Sequence, residues 1–350
     1  NIGTGHVMRC LTLADELRLK CTDINFICRE EPGNMISYIG NRGYKVHQLP
    51  GKIDIETDRR LTKEILSKYE TKPDGLIIDH YDIDISWEYP LRKYAKNLMV
   101  IDDLANREHD CDLLLDQNYS KNEDRYNGLI PENCIQLLGP EYAILRPQFQ
   151  KARGNLRKRD GGVNRILLFM GGVDSKDITS KALRAIHMLD RSDIVVDVVI
   201  GDLNPYHDEI KILTSKIPNT SCHHNVENMA ELMASADLCI GAGGTTTWER
   251  CCAGLPTIAI ILAENQKNIS ESLDKEGAII NLGWYHNVTE DNIKEGIEGL
   301  IDNPQKMVSM SNKSRSLVDG EGVNKVCDAM ILMDSDRNQY KSIKKNKLVS

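Results

Sequence analysis

Much can be excluded from what this 350-residue sequence does not contain. No apolar run approaches the roughly 18–20 residues of a membrane span; the stretch 256–263 is among the longest. No secretory leader is visible in the residues given, which begin at Asn1. None of the ten cysteines forms a C-x-x-C pair, and Cys251 and Cys252 are adjacent. That scatter fits reduced, mostly buried thiols in a cytoplasmic protein. No G-K-[ST] occurs, which removes a Walker A loop, and no G-x-G-x-x-G follows a strand, which counts against a dinucleotide site. Net positive charge is also missing: 44 Lys and Arg stand against 52 Asp and Glu, a balance of −8. A general nucleic-acid surface is therefore not expected, and a phosphate ligand needs a local cluster of donors.

What remains is an ordinary globular composition, 41% hydrophobic and 27% charged, of a length suited to about two domains. Apolar runs at 24–28, 45–49, 76–79, 98–101 and 113–115 read as short buried strands, with helical patterns at 7–17, 58–68 and 87–96. A polar, basic, glycine-ended segment, 151–162, reads as a linker between a first domain, 1–150, and a second, 163–333. The second begins a fresh series, with strands at 165–170, 194–200, 236–240 and 258–262. The tail 334–350 has no apolar period and is expected to be disordered. Alternating strands and helices predict an α/β fold with mostly parallel sheets, whose ligands bind at the carboxyl ends of strands.

The organising stretch is 241–250, where a strand runs into Gly243 and Gly244, then Thr245 and Thr246, and Glu249 follows one turn later. Free backbone N–H groups at such a helix start suit a phosphate, and Glu249 is placed to reach a ribose diol. The plain alternative is a tight turn with hydroxyl capping. Gly171 and Gly172 end an earlier strand in the same way, so a nucleoside diphosphate held from two sides is expected. A third glycine loop, with Gly3 and Gly5, opens the first helix beside His6, without the strand that an α/β unit places before it. The helix dipole should keep His6 neutral and able to accept a proton; it is otherwise a polar helix-start residue. Asn265 follows the strand at 258–262 and is either a sugar contact or a helix cap. Asp82 with Asp84, and Asp110 with Asp112, match a D-x-D cation motif, but two carboxylates alone are too few oxygens to predict a metal.

Taken in order, Gly3-Thr4-Gly5-His6-Val7-Met8-Arg9-Cys10, Asp79-His80-Tyr81, Ile101-Asp102-Asp103, Asp116-Gln117-Asn118-Tyr119, Leu138-Gly139-Pro140-Glu141-Tyr142, Gly171-Gly172-Val173-Asp174, 241–250 and Ala263-Glu264-Asn265-Gln266 resemble the UDP-2,4-diacetamido-2,4,6-trideoxy-β-L-altropyranose hydrolases of pseudaminic acid biosynthesis. The likeness runs from residue 1 to about 285, except that the family's first strand is absent from the sequence given. It implies two Rossmann-like domains facing across a cleft, the GT-B fold, as in the peptidoglycan N-acetylglucosaminyl transferase. It implies His6 as catalytic base, supported by Tyr81 and Asn265. Substrate-binding roles fall to Gly5, to Gly171, Gly172 and Asp174, to Gly243, Gly244, Thr245 and Thr246 for the diphosphate, to Glu249 for the ribose and to Val226 near uracil. Water attack at the anomeric carbon with inversion, without metal or other cofactor, is the expected chemistry. The setting is cell-surface polysaccharide or flagellin glycosylation, with a small UDP-sugar as partner and neither nucleic acid nor membrane. A glycosyltransferase on the same fold, or a nucleotide-sugar binding module without turnover, remain as alternatives.

Overall fold

The computed structural model describes residues 4–20, 23–224 and 226–335. The chain runs α1 (Thr4–Lys20), β1 (Asn25–Arg29), α2 (Ile36–Asn41), β2 (Lys45–Leu49), α3 (Ile55–Leu66), β3 (Gly75–Ile78), α4 (Ile85–Leu91), β4 (Asn97–Ile101), β5 (Leu113–Asp116) and β6 (Ile135–Leu138). It continues through α5 (Pro147–Gly154), β7 (Arg165–Phe169), α6 (Ile178–His187), β8 (Val195–Ile200), α7 (His207–Lys216), β9 (Thr220–His224), α8 (Met229–Ser235), β10 (Leu238–Ala242) and α9 (Thr246–Cys252). The last elements are β11 (Thr257–Ile261), α10 (Lys267–Lys275), β12 (Ile280–Trp284), α11 (Glu290–Ile301), α12 (Pro304–Leu317) and α13 (Gly322–Ser335). Local chemistry marks several starts: Asp54 accepts from Thr57 N–H ahead of α3, Asp84 from Ser86 N–H ahead of α4, and Thr289 forms a reciprocal cap with Asn292 ahead of α11.

Two compact units result, one holding the residues up to Ile144 together with those from Glu321 onward, the other Leu145–Gly320. In the first, β1 pairs with β2, and a separate sheet has the order β3-β4-β5-β6. Alternate residues of this second sheet face opposite sides. Met99, Ile101, Leu113 and Leu115 pack under Leu13 and Leu17 of α1 and Val323, Val326 and Cys327 of α13. Leu98, Val100 and Leu114 pack under Trp87 and Leu91 of α4.

The second unit has one six-stranded sheet, β12-β11-β10-β7-β8-β9, and its pairings are parallel. Ile166, Leu168, Val196, Val198, Leu238 and Ile240 turn one face towards Ile178, Ala182 and Ile186 of α6 and Ile293 and Ile297 of α11. The chain winds outward from β7 to β9, then returns to the other side of β7 for β10 to β12. The winding therefore reverses between β7 and β10, the position at which open parallel sheets bind ligands.

Three expectations change. The helix over 322–333, assigned by sequence to the second domain, belongs to the first unit because its apolar face completes that unit's core. The expected linker is not a solvated strap: residues 151–154 finish α5, and Arg159 is buried. The proposed tail begins inside α13, and from residue 336 it lies outside the described residues, as do Asn1, Ile2 and Gly3.

Arg159 donates to the carbonyls of Met233, Ala234 and Ala236 at the end of α8 and to that of Ala253 just past α9. Burial and then neighbouring Arg157 push its pKa down to about 10, so it is still a cation at neutral pH. A single charge thus serves two helix ends whose carbonyls lack intrahelical donors. Arg159→Met is expected to lower the unfolding free energy by about 2–4 kcal/mol, since several buried acceptors lose their donor. Denaturant titration of both proteins measures this, and a change below about 0.5 kcal/mol, the size of a neutral surface substitution, contradicts it.

Candidate functional site

In the first unit the site grows from the start of α1 and the carboxyl end of β3. His6 and Arg9 are one helical turn apart, so both face the strand end where Asp79 emerges. Nδ1 of His6 lies 2.5 Å from Oδ1 of Asp79. Arg9 grips the same carboxylate twice, Nη2 at 2.6 Å from Oδ1 and Nε at 3.0 Å from Oδ2. The Cys10 thiol adds a weak contact to Oδ2 at 3.5 Å. Burial alone would raise the pKa of Asp79, but the Arg9 charge and the His6 hydrogen bond outweigh it and hold the value at about 2. Asp79 is therefore an acceptor only, so whenever the imidazole is neutral Nδ1 carries the proton and Nε2 keeps its lone pair. The sequence placed His6 on a helix dipole alone; the structure adds a carboxylate partner that fixes the ring and its tautomer.

Tyr81 meets the His6 ring edge-on, with centroids 4.8 Å apart, and its hydroxyl points to Oδ2 of Asp103 at 3.4 Å. The other Asp103 oxygen is buried with no hydrogen-bond partner among the described residues, and burial first of all raises the pKa of this group. Gly5 lies within the first turn of α1 rather than in a loop. Sequence reasoning quoted Arg9, Asp79 and Asp103 inside motifs without giving them roles. The available signal was a carboxylate at a strand end facing a helix that carries His and Arg three residues apart.

Three of the four D-x-D carboxylates do other work. Asp84 caps α4, and Arg92 binds both Asp110 and Asp112. Among the described residues no group of three or more His, Cys, Asp or Glu side chains is placed to hold a metal ion.

In the second unit the two glycine turns close β7 and β10, neighbours in the sheet with Phe169 beside Gly241. They therefore flank the point where the winding reverses. Gly171 has φ +95, a backbone state that only glycine adopts without strain. A Cβ on Gly241 would come 2.8 Å from Nη1 of Arg250 and 2.9 Å from the Phe169 carbonyl, and one on Gly243 would fall 2.1 Å from the Ser270 hydroxyl. These two glycines are packing requirements. Gly243 also gives its N–H to the Ile260 carbonyl at 3.3 Å, so it does not supply the expected phosphate donor. Among the described residues no acceptor faces the N–H groups of Gly172, Gly244 and Thr245. Beneath the turn, the buried Arg250 guanidinium donates to the Ala242 carbonyl and to the hydroxyls of Thr246 and Thr247. The expected hydroxyl cap is absent, since the Thr245 side chain accepts no capping hydrogen bond.

Asp174 is a correction. Its carboxylate is buried and accepts from the N–H groups of Ile178 and Thr179, so it holds the turn onto α6 instead of facing a ligand. Glu249 does not stand free either: Nη2 of Arg146 is 3.2 Å from its Oε1. Val226 is half-buried between β9 and α8. Asn265 is exposed in a short 3-10 turn, Glu264–Gln266, after β11. Its neighbour Gln266, whose amide belongs to the same motif, is engaged: Oε1 accepts from Leu262 N–H at 2.9 Å, which leaves the amide NH2 on the side of Gly244.

Residues 166–326 match the model of the glycosyltransferase family 28 C-terminal domain. The chain is 30% identical over 274 residues to an uncharacterized protein of Methanocaldococcus jannaschii, a match covering 76% of this chain and 54% of that protein, so it spans about half that relative's length. The spore coat polysaccharide biosynthesis protein SpsG of Bacillus subtilis is 26% identical across 93% of each chain. The UDP-2,4-diacetamido-2,4,6-trideoxy-β-L-altropyranose hydrolase of Campylobacter jejuni is 29% identical across 79% of this chain and 93% of its own. Among solved structures, MurG of Acinetobacter baumannii shares the architecture with a TM-score of 0.69 at 14% identity, over 93% of this chain and 96% of that one. The chain has the GT-B fold, built from two Rossmann-like units.

The Asp79 pairing carries a pH signature. An aspartate ordinarily titrates near 3.8, and here the folded value is about 2. A depressed folded value stabilises the protein above about pH 4, and the contribution disappears as pH falls towards 2. With a side chain only 4% exposed, that contribution is about 2 kcal/mol. The stability gap between the native protein and Asp79→Asn should therefore narrow by about this amount between pH 5 and pH 2. A gap independent of pH would show that Asp79 is not the ionised partner described.

Proposed function

We propose that this chain is a UDP-sugar hydrolase, releasing UDP from UDP-2,4-diacetamido-2,4,6-trideoxy-β-L-altropyranose as a cytoplasmic step of pseudaminic acid biosynthesis. The observation that carries this reading is the His6–Asp79–Arg9 arrangement, which keeps Nε2 of a fixed imidazole available to take a proton. The Campylobacter relative, which bears the hydrolase name, supports the choice of substrate.

In this reading His6 removes a proton from water as the oxygen attacks the anomeric carbon. Charge then grows on the departing diphosphate, and the N–H groups of Gly172, Gly244 and Thr245 stabilise it. Glu249 holds the ribose, Val226 lies by the uracil, and Tyr81 and Asn265 contact the sugar. Attack from the side opposite to UDP inverts the anomeric centre. Every proton and charge in this scheme is handled by the chain's own groups, so chelator should leave turnover unchanged. A second reading, an inverting glycosyltransferase, draws support from the family 28 match and differs only in replacing water by an acceptor hydroxyl.

Turnover in oxygen-18 water separates these possibilities. The expected result is label in the free sugar; label in phosphate means attack at phosphorus and overturns the scheme. No turnover without an added acceptor favours the transferase. His6→Gln should bind UDP nearly as the native protein does while losing at least ~10²-fold in turnover, the scale of a removed general base. Full activity in that variant rejects His6 as the base.

A further inference from the structure

Glu249 is the acid on which nucleotide recognition is proposed to turn, yet one of its oxygens is already taken. The partner, Arg146, has an extended backbone (φ −59, ψ 145) immediately before Pro147, which begins α5. Its guanidinium stands 5.3 Å over the ring of Phe149, which is fully buried. From there Nη2 reaches Oε1 of Glu249 at 3.2 Å, while Oε2 has no partner among the described residues. A carboxylate held by one oxygen on a planar fork presents the other in a preferred direction.

We propose that Arg146 is a positioning residue of the nucleotide site, fixing one oxygen of Glu249 so that the other accepts a hydrogen bond from a ribose hydroxyl of the bound nucleoside diphosphate. The inference rests on the proposed ribose role of Glu249 and goes one step further, to the residue that makes that role possible. Burial raises the pKa of Glu249, and Arg146, helped by Arg250, opposes the rise. Removing Arg146 therefore frees the carboxylate to rotate and weakens it as an acceptor.

The test is calorimetric titration of the whole chain with UDP, 2′-deoxy-UDP and 3′-deoxy-UDP, read as the ratio of affinities so that phosphate binding cancels. The native protein should prefer UDP over at least one deoxy ligand by about 10-fold or more, the scale of one hydrogen bond to a charged group. Arg146→Gln should bring that ratio within about 3-fold, while Arg146→Lys, which keeps the charge without the fork, falls between. A native ratio in Arg146→Gln alongside a lost ratio in Glu249→Ala overturns the proposal and leaves the ribose role standing. A native ratio in Glu249→Ala removes the ribose role itself, and the proposal with it. If Arg146→Gln does not fold, Arg146→Lys decides: an intermediate ratio supports the inference and a native one rejects it.

Discussion

The nucleotide half of the proposed site depends on how closely β10 can run beside β7. Gly241 pairs with Phe169, and any side chain there would strike both the Phe169 carbonyl and the Arg250 guanidinium. Because that space is empty, Arg250 can lie beneath the turn and fasten Ala242, Thr246 and Thr247 from below. The N–H groups of Gly244 and Thr245 are then held in place without being consumed. A buried cation is costly unless it is well hydrogen-bonded, and here the bonds that offset that cost also shape the turn.

The same economy of acceptors and donors divides the predicted residues into two kinds. Gly243, Asp174, Asp84 and Asp112 have polar groups committed within the protein. The N–H groups of Gly172, Gly244 and Thr245, and Nε2 of His6, have no such partner among the described residues. A bare motif cannot separate these kinds, because commitment depends on what a distant segment brings: Ile260 for Gly243, Arg92 for Asp110 and Asp112, Arg146 for Glu249.

How far the fold could be read from sequence follows from where each strand sits. The strands expected from apolar runs include β4, β5, β7, β8, β10 and β11, each flanked by strands on both sides. The three that escaped, β6, β9 and β12, are all sheet edges, although the edge strands β1, β2 and β3 were read from their apolar runs. An edge strand is half covered, so Thr220-Ser221-Cys222-His223-His224 carries no continuous apolar signal to read. His6 and Tyr81 were legible as residues because their motif neighbours singled them out. Their partners Asp79, Arg9 and Asp103 were not, since a hydrogen bond across some seventy residues of sequence leaves no local period.

The return of α13 to the first unit bears on the order in which the chain can mature during synthesis. The second unit is one uninterrupted segment and can close as soon as it has been made, whereas the first is written in two pieces. Until Val323, Val326 and Cys327 arrive, Met99, Ile101, Leu113 and Leu115 lack part of their cover. For a nascent chain this is a waiting period with exposed apolar surface, the condition under which chaperones engage. A helix made only after the whole second unit is thus the one that covers the β3-β4-β5-β6 sheet.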